Sequence, residues 1–105
     1  MPSETNMRLT PSQIESICRA ARSVLGPQVS IRLFGSRVRN DLKGGDIDLL
    51  FETEHTVPNR TQAICSIQGA LMRTLGDRKI DIVLKDPRTP DAAVFEIARR
   101  TGVIL

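Results

Sequence analysis

Leu33-Phe34-Gly35-Ser36-Arg37-Val38-Arg39-Asn40-Asp41-Leu42-Lys43-Gly44-Gly45-Asp46-Ile47-Asp48-Leu49-Leu50-Phe51 is the stretch that decides how this chain is read. An apolar run halts at Gly35-Ser36 and resumes as a second apolar run carrying two aspartates. Side chains at i and i+2 of a strand share a face, so Asp46 and Asp48 project together while Ile47 and Leu49 point into a core. Two carboxylates about 4 Å apart cost roughly 4 kcal/mol at an effective dielectric near 20. A fold stable by only about 5–15 kcal/mol needs compensation for that. A raised pKa, a neighbouring Arg or Lys, or a divalent cation would each supply it.

Oxygen-only ligands with room for water and phosphate suit Mg²⁺. A Gly-Ser turn with free backbone N–H groups suits phosphate. Metal and phosphate together point to nucleotide chemistry. The plainer alternatives are solvated aspartates at strand ends and an ordinary turn with a serine N-cap.

The rest of the chain supplies a frame for this stretch. Residues 1–9 read as a flexible N-terminal tail, and 10–105 as a single domain. Thr10-Pro11-Ser12-Gln13 carries a capping box with Pro at the first helical position. Ile14, Ile17, Cys18, Ala21, Val24 and Leu25 follow at helical spacing, and Gly26-Pro27 closes that helix. Residues 29–34 and 46–52 alternate as strands. Asn59-Arg60-Thr61-Gln62 predicts a second capping box, before a helix whose apolar face is Ile64, Ile67, Leu71 and Leu75. Residues 79–84 predict a third strand with Asp81 on the face away from Ile80 and Ile82. Thr89-Pro90 predicts the start of a third helix, capped by Gly102. The closing Val103-Ile104-Leu105 predicts a short edge strand or a core plug.

Gly35-Ser36, the nine-residue spacer, Asp46-Ile47-Asp48 and the later strand aspartate Asp81 resemble the DNA polymerase β-like nucleotidyltransferase superfamily. The flanks, apolar-Phe-Gly-Ser-Arg and Asp-Ile-Asp-Leu-Leu, are similar to those of its minimal nucleotidyltransferases. These are small domains often paired with a helical HEPN protein in toxin–antitoxin systems. The resemblance runs from about residue 10 to the end. It implies an α/β (α+β) fold, with a small mixed β-sheet, helices packed mainly on one face and the site at the other side.

The resemblance also implies a metal-dependent transferase moving a nucleoside monophosphate, AMP from ATP, onto an acceptor hydroxyl. Asp46, Asp48 and Asp81 would be catalytic and would bind two Mg²⁺ ions, roughly 3.5–4 Å apart in such sites. The residue matching Asp81 also helps to deprotonate the attacking hydroxyl. Gly35, Ser36 and Arg37 would bind the nucleotide's phosphates, and Arg39 is a further candidate; the plainer alternative for both arginines is a surface residue that balances Asp41 and the aspartates. The acceptor would be a tyrosine of a HEPN-type partner. The rival readings are a non-catalytic antitoxin that binds nucleotide or protein, and a transferase that modifies nucleic acid.

Composition weighs against the last of these. The net charge of +3 is scattered, with seven Lys/Arg and six Asp/Glu in residues 1–52 and eight and six in residues 53–105. A nucleic-acid surface more often shows a basic stripe. The aromatics are Phe34, Phe51 and Phe95 alone, too few for a base-stacking platform. No apolar run is long enough to span a membrane, and residues 1–9 are too polar for a signal peptide. The expected setting is the reducing cytoplasm, with Cys18 and Cys65 as buried free thiols on helices. His55, the single histidine, reads as an exposed loop residue just past the second strand.

Overall fold

Thr10 opens the first helix through the predicted reciprocal cap. Its hydroxyl accepts the Gln13 amide at 3.1 Å, and the Gln13 side-chain oxygen accepts the Thr10 amide at 2.9 Å. Two N–H groups that no helical carbonyl could reach are thereby satisfied. The structure is a computed structural model and describes residues 9–34, 47–76 and 79–105. The predicted turn of helix after Gly35-Ser36 lies outside the described residues.

Helix α1 (Pro11–Leu25) buries Ile17, Cys18, Ala21 and Leu25. Ile14 is only partly covered and Val24 is exposed, so the buried stripe is narrower than the apolar pattern. Gly26 ends the helix at φ 103°, a left-handed conformation that glycine adopts without a Cβ penalty. Strand β1 (Ser30–Phe34) runs antiparallel to β2 (Ile47–Glu52).

Helix α2 (Arg60–Leu75) begins with half of the expected capping box. The Asn59 side-chain oxygen accepts the Gln62 amide at 3.0 Å. The Gln62 side chain then takes its hydrogen bond from the Asn59 side-chain nitrogen at 3.4 Å, not from the backbone. The buried residues Ala63, Ile67, Leu71 and Leu75 form one stripe. Cys65 lies on the far side of that stripe and is exposed, which corrects the expectation of a buried thiol. Two residues are about 200° around a helix, so Cys65 cannot share the face of Ala63 or Ile67.

Strand β3 (Ile80–Lys85) pairs in parallel with β2, the connection being α2. Its outward edge is covered from α2. The Gln68 side-chain amide donates to the Ile80 carbonyl at 3.1 Å, and Arg60 donates to the Leu84 carbonyl at 2.8 Å. Edge groups that could template another strand are thus occupied at both ends of β3.

The third helix, α3, spans Ala93–Thr101 and not the predicted start at Thr89-Pro90; its N-cap, Ala92, offers no side-chain bond. Thr89 is engaged elsewhere. Its hydroxyl accepts from the Asp86 amide at 3.0 Å and from Arg60 at 2.8 Å, and it donates to the Asp86 carboxylate at 2.9 Å. With the Thr89 amide also bonded to the Asp86 carbonyl at 2.9 Å, the segment forms a turn that closes β3. Strand β4 (Val103–Ile104) pairs antiparallel with β1, giving the order β3-β2-β1-β4. Leu105 packs against the core, so the terminal tripeptide is both edge strand and plug.

The sheet alternation divides the core in two. Ile31, Leu33, Ile47, Leu49, Phe51, Ile80 and Leu84 meet α1 and α2 on one face. Phe34 and Leu50 meet Phe95 and Ala98 of α3 on the other, with Val83 beside them. Two helices on one face and a short one opposite agree with the expected α+β arrangement. Among the described residues no helix is long and apolar enough to cross a membrane.

Candidate active site

Alternation along β2 and β3 decides which side chains stand beside α3. Ile47, Leu49 and Phe51 enter the α1/α2 core, which turns Asp48, Leu50 and Glu52 to the opposite face. In β3 the same division turns Asp81, Val83 and Lys85 that way. The register then sets Asp48 opposite Asp81, Leu50 opposite Val83 and Glu52 opposite Lys85. Adjacent strands are about 4.8 Å apart, so the two aspartates are near neighbours on one surface. Asp48 is half-buried and Asp81 exposed.

The row containing these acids continues into β1, where Phe34 is the register partner of Asp48. Gly35-Ser36 follows Phe34 directly in the chain, and Asp46 stands one residue before Ile47. Asp46, Gly35, Ser36, Arg37 and Arg39 lie outside the described residues. The structure therefore brings together Asp48 and Asp81, at the end of the sheet from which the Gly-Ser segment leaves. His55 is exposed, as expected. It stands past the opposite end of β2, beside Gly26 and away from the acid pair.

The other end of this face is closed by ion pairs. Glu52 accepts from Arg99 at 2.9 Å and lies 3.7 Å from Arg32. Bonding to Glu52 raises the Arg99 pKa above its ordinary value. The Lys85 ammonium sits 5.2 Å from the centre of the Phe95 ring. These contacts hold α3 over the sheet. Glu52 is thereby neutralised, and among the described residues the other acids on this face of the sheet are Asp48 and Asp81, at its opposite end.

Among the described residues the two adjacent carboxylates have no sulfur or imidazole beside them, a donor set that fits a hard cation. Mg²⁺ is commonly held by one or two carboxylates, with phosphate and water completing its shell. Among the described residues no group of three His, Cys, Asp or Glu converges, so further ligands must come from beyond them. Asp46 and a substrate phosphate both meet that need chemically. At a 5 Å separation the acid pair's repulsion falls from about 3 kcal/mol at a dielectric near 20 to below about 1 kcal/mol in water. The exposure of Asp81 puts this pair toward the lower figure. A bound cation would offset it.

Asp86 carried no role in the sequence reading, and the structure gives it a supporting one. It is 2 % exposed. It accepts from the Val57 amide at 2.9 Å, the Arg88 amide at 3.0 Å and Arg60 at 3.3 Å. This carboxylate ties the end of β3 to the loop that enters α2, and so holds the two strands of the acid pair in register. No local sequence signal marks it, because Val57 and Arg60 are distant in the chain.

Residues 12–103 match the model of the nucleotidyltransferase domain family. The match covers most of the chain, and the protein belongs to that family, with a polymerase β-like nucleotidyltransferase domain. It is thus a transferase of nucleotidyl groups, acting on a nucleotide substrate. No curated protein matches the chain.

Proposed function

We propose that the protein transfers AMP from ATP to an acceptor hydroxyl in a Mg²⁺-dependent reaction. The observation that carries this reading is the register pairing of Asp48 with Asp81 on the open end of the α3 face. In this reading Asp46, Asp48 and Asp81 hold the cation, and Asp81 also draws the proton from the attacking hydroxyl. Gly35 and Ser36 hold triphosphate oxygens through backbone N–H groups and a hydroxyl, while Arg37 and Arg39 add positive charge. Bound Mg²⁺ would neutralise triphosphate charge and acidify the attacking hydroxyl, two ions serving the two sides of the displacement. The hydroxyl oxygen bonds the α-phosphorus, the bond to the bridging oxygen breaks, and pyrophosphate leaves with that electron pair.

Residues 10–105 form the catalytic unit in this reading, with 1–9 as a tail, and the acceptor is carried by another molecule. A tyrosine of a small helical HEPN-type partner in the cytoplasm, modified as part of an antitoxin role, is the acceptor we favour. The motif flanks described above support that choice.

Label transfer from α-labelled ATP in Mg²⁺ to a co-expressed helical partner tests both parts. Transfer by the native chain and none by Asp48→Asn supports the reading. Label on RNA instead of protein would replace the acceptor but keep the chemistry. No transfer, with ATP binding also undetectable by calorimetry, leaves a binding module on a transferase scaffold.

A further inference from the structure

Gly102 joins α3 to β4 with no room for a side chain. Its φ of −85° and ψ of 167° are extended backbone that any residue adopts, so conformation does not require glycine here. Space does. A Cβ on Gly102 would meet the Leu33 carbonyl oxygen at 3.0 Å and the Phe34 Cβ at 3.2 Å, and it would overlap the Ala98 carbonyl. Ordinary contact begins at 3.4 Å. Two of the three obstacles are backbone atoms of β1 and α3, which cannot swing aside as a side-chain tip can. The Ala98 carbonyl is also committed, because it accepts the Gly102 amide at 2.8 Å.

The strand end touched by this corner leads straight to the acid pair. Val103 pairs with Leu33, Phe34 with Asp48, and Asp48 with Asp81. Phe34 also packs with Ala98 in the α3 core. Any displacement of the corner is therefore passed to the rung that carries Asp48. We propose that Gly102 is a positioning residue for the Asp48–Asp81 pair. Lacking a Cβ, it lets the α3–β4 corner seat directly on Leu33-Phe34 and so sets where Asp48 stands relative to Asp81. This inference rests on Asp48 and Asp81 being cation ligands.

The size of the effect follows from the tolerance of the site. Adding a Cβ forces β1 to give by a few tenths of an ångström at Leu33 and Phe34 and α3 by more at Ala98, against the roughly 0.5 Å within which a binding constellation must be held. Mg²⁺ demands near-ideal octahedral geometry, whereas Ca²⁺ accepts irregular oxygen sites. A misplaced pair should thus lose Mg²⁺ more than Ca²⁺. Simple destabilisation would not change that ratio.

The test is Mn²⁺ binding to the nucleotide-free chain by electron paramagnetic resonance, with Mg²⁺ and Ca²⁺ affinities from competition, at a temperature where every variant is folded. For Gly102→Ala the expected result is about a tenfold loss of Mg²⁺ affinity, with a clearly smaller loss for Ca²⁺. Ile67→Val, a trimmed core residue on the opposite face of the sheet, should keep both native affinities. Native Mg²⁺ affinity in Gly102→Ala, or an equal loss in Ile67→Val, overturns the proposal while leaving the acid-pair site intact. If the native chain fails to bind Mn²⁺, or Asp48→Asn binds it equally well, the acid-pair site and the proposal fall together. Should Gly102→Ala not fold, Val103→Ala trims the same junction without adding an atom. A loss of about threefold in Mg²⁺ affinity then supports the proposal, and native affinity overturns it.

Discussion

Asp48 faces Asp81 across the parallel β2–β3 ladder, on the side of the sheet that α3 covers only in part. Like charges directly opposite in a sheet destabilise it, and an apolar pair, buried Leu50 with half-buried Val83, fills the next rung. Two acids set on one rung at a partly covered end of the sheet are the arrangement expected of a site kept for chemistry.

Asp81→Asn should separate stability from function. Removing one charge of a cross-strand like pair is worth about 0.2–1 kcal/mol, so the unfolding midpoint without metal should hold or rise. Nucleotidyl transfer should fall at least about a hundredfold, because the same carboxylate serves as ligand and proton acceptor. Urea melts beside label-transfer rates check both halves. A parallel fall in stability and activity would assign Asp81 to the scaffold.

Asp86 should make the fold sensitive to acid. The Val57 amide, above all, holds its carboxyl below the ordinary 3.8, against the opposing pull of burial; Thr89, the Arg88 amide and Arg60 add to the lowering. A lowered folded-state pKa means stability that is complete above the unfolded value and is lost as pH falls through the folded one. The native chain's advantage over Asp86→Asn should be constant from about pH 7 to pH 5 and shrink below about pH 4. Urea melts at several pH values measure it. At pH 7 the loss should exceed that of Arg19→Ala, whose pair with Glu15 is exposed at both ends.

Gly69→Ala should stabilise the protein. Gly69 lies within α2, and a Cβ there meets nothing within 4 Å. Replacing a helical glycine with alanine gains about 0.5–1 kcal/mol. The thermal midpoint should rise by about 2–8 °C. Transfer activity should be unchanged, since α2 packs on the face away from the acid pair.

Thr10→Ala should remove the opening cap of α1. The Gln13 amide and the Thr10 backbone N–H lose their reciprocal arrangement, at a cost of about 1 kcal/mol. Circular-dichroism melts would register it, whereas Ser12→Ala, next to the cap, should move the midpoint much less.

Much of this molecule was determined locally. Thr10 with Gln13, and the glycine at 26, act over a few residues, so the boundaries they set were legible without the fold. Strand alternation alone turned Asp48 away from Ile47 and Leu49, and Asp81 away from Ile80, because side-chain direction in a strand has a period of two. The family resemblance was legible for the same reason, since its motifs are short and contiguous.

Tertiary structure decided which of those faces meet. Nothing within β2 or β3 states that Asp48 and Asp81 share a rung. That follows from the α2 connection, the helix's packing and the strand order β3-β2-β1-β4. Thr89 and Pro90 have the local chemistry of a helix start, yet Asp86 and Arg60 claim the Thr89 hydroxyl first and delay the helix to Ala93. Gly102 reads in sequence as one more helix stop, while its contacts with Leu33 and Phe34 exist only after β4 returns to β1. Local propensity acts over one turn or one pleat. Register, burial and close approach depend on residues far apart in the chain, and only the folded packing brings them together.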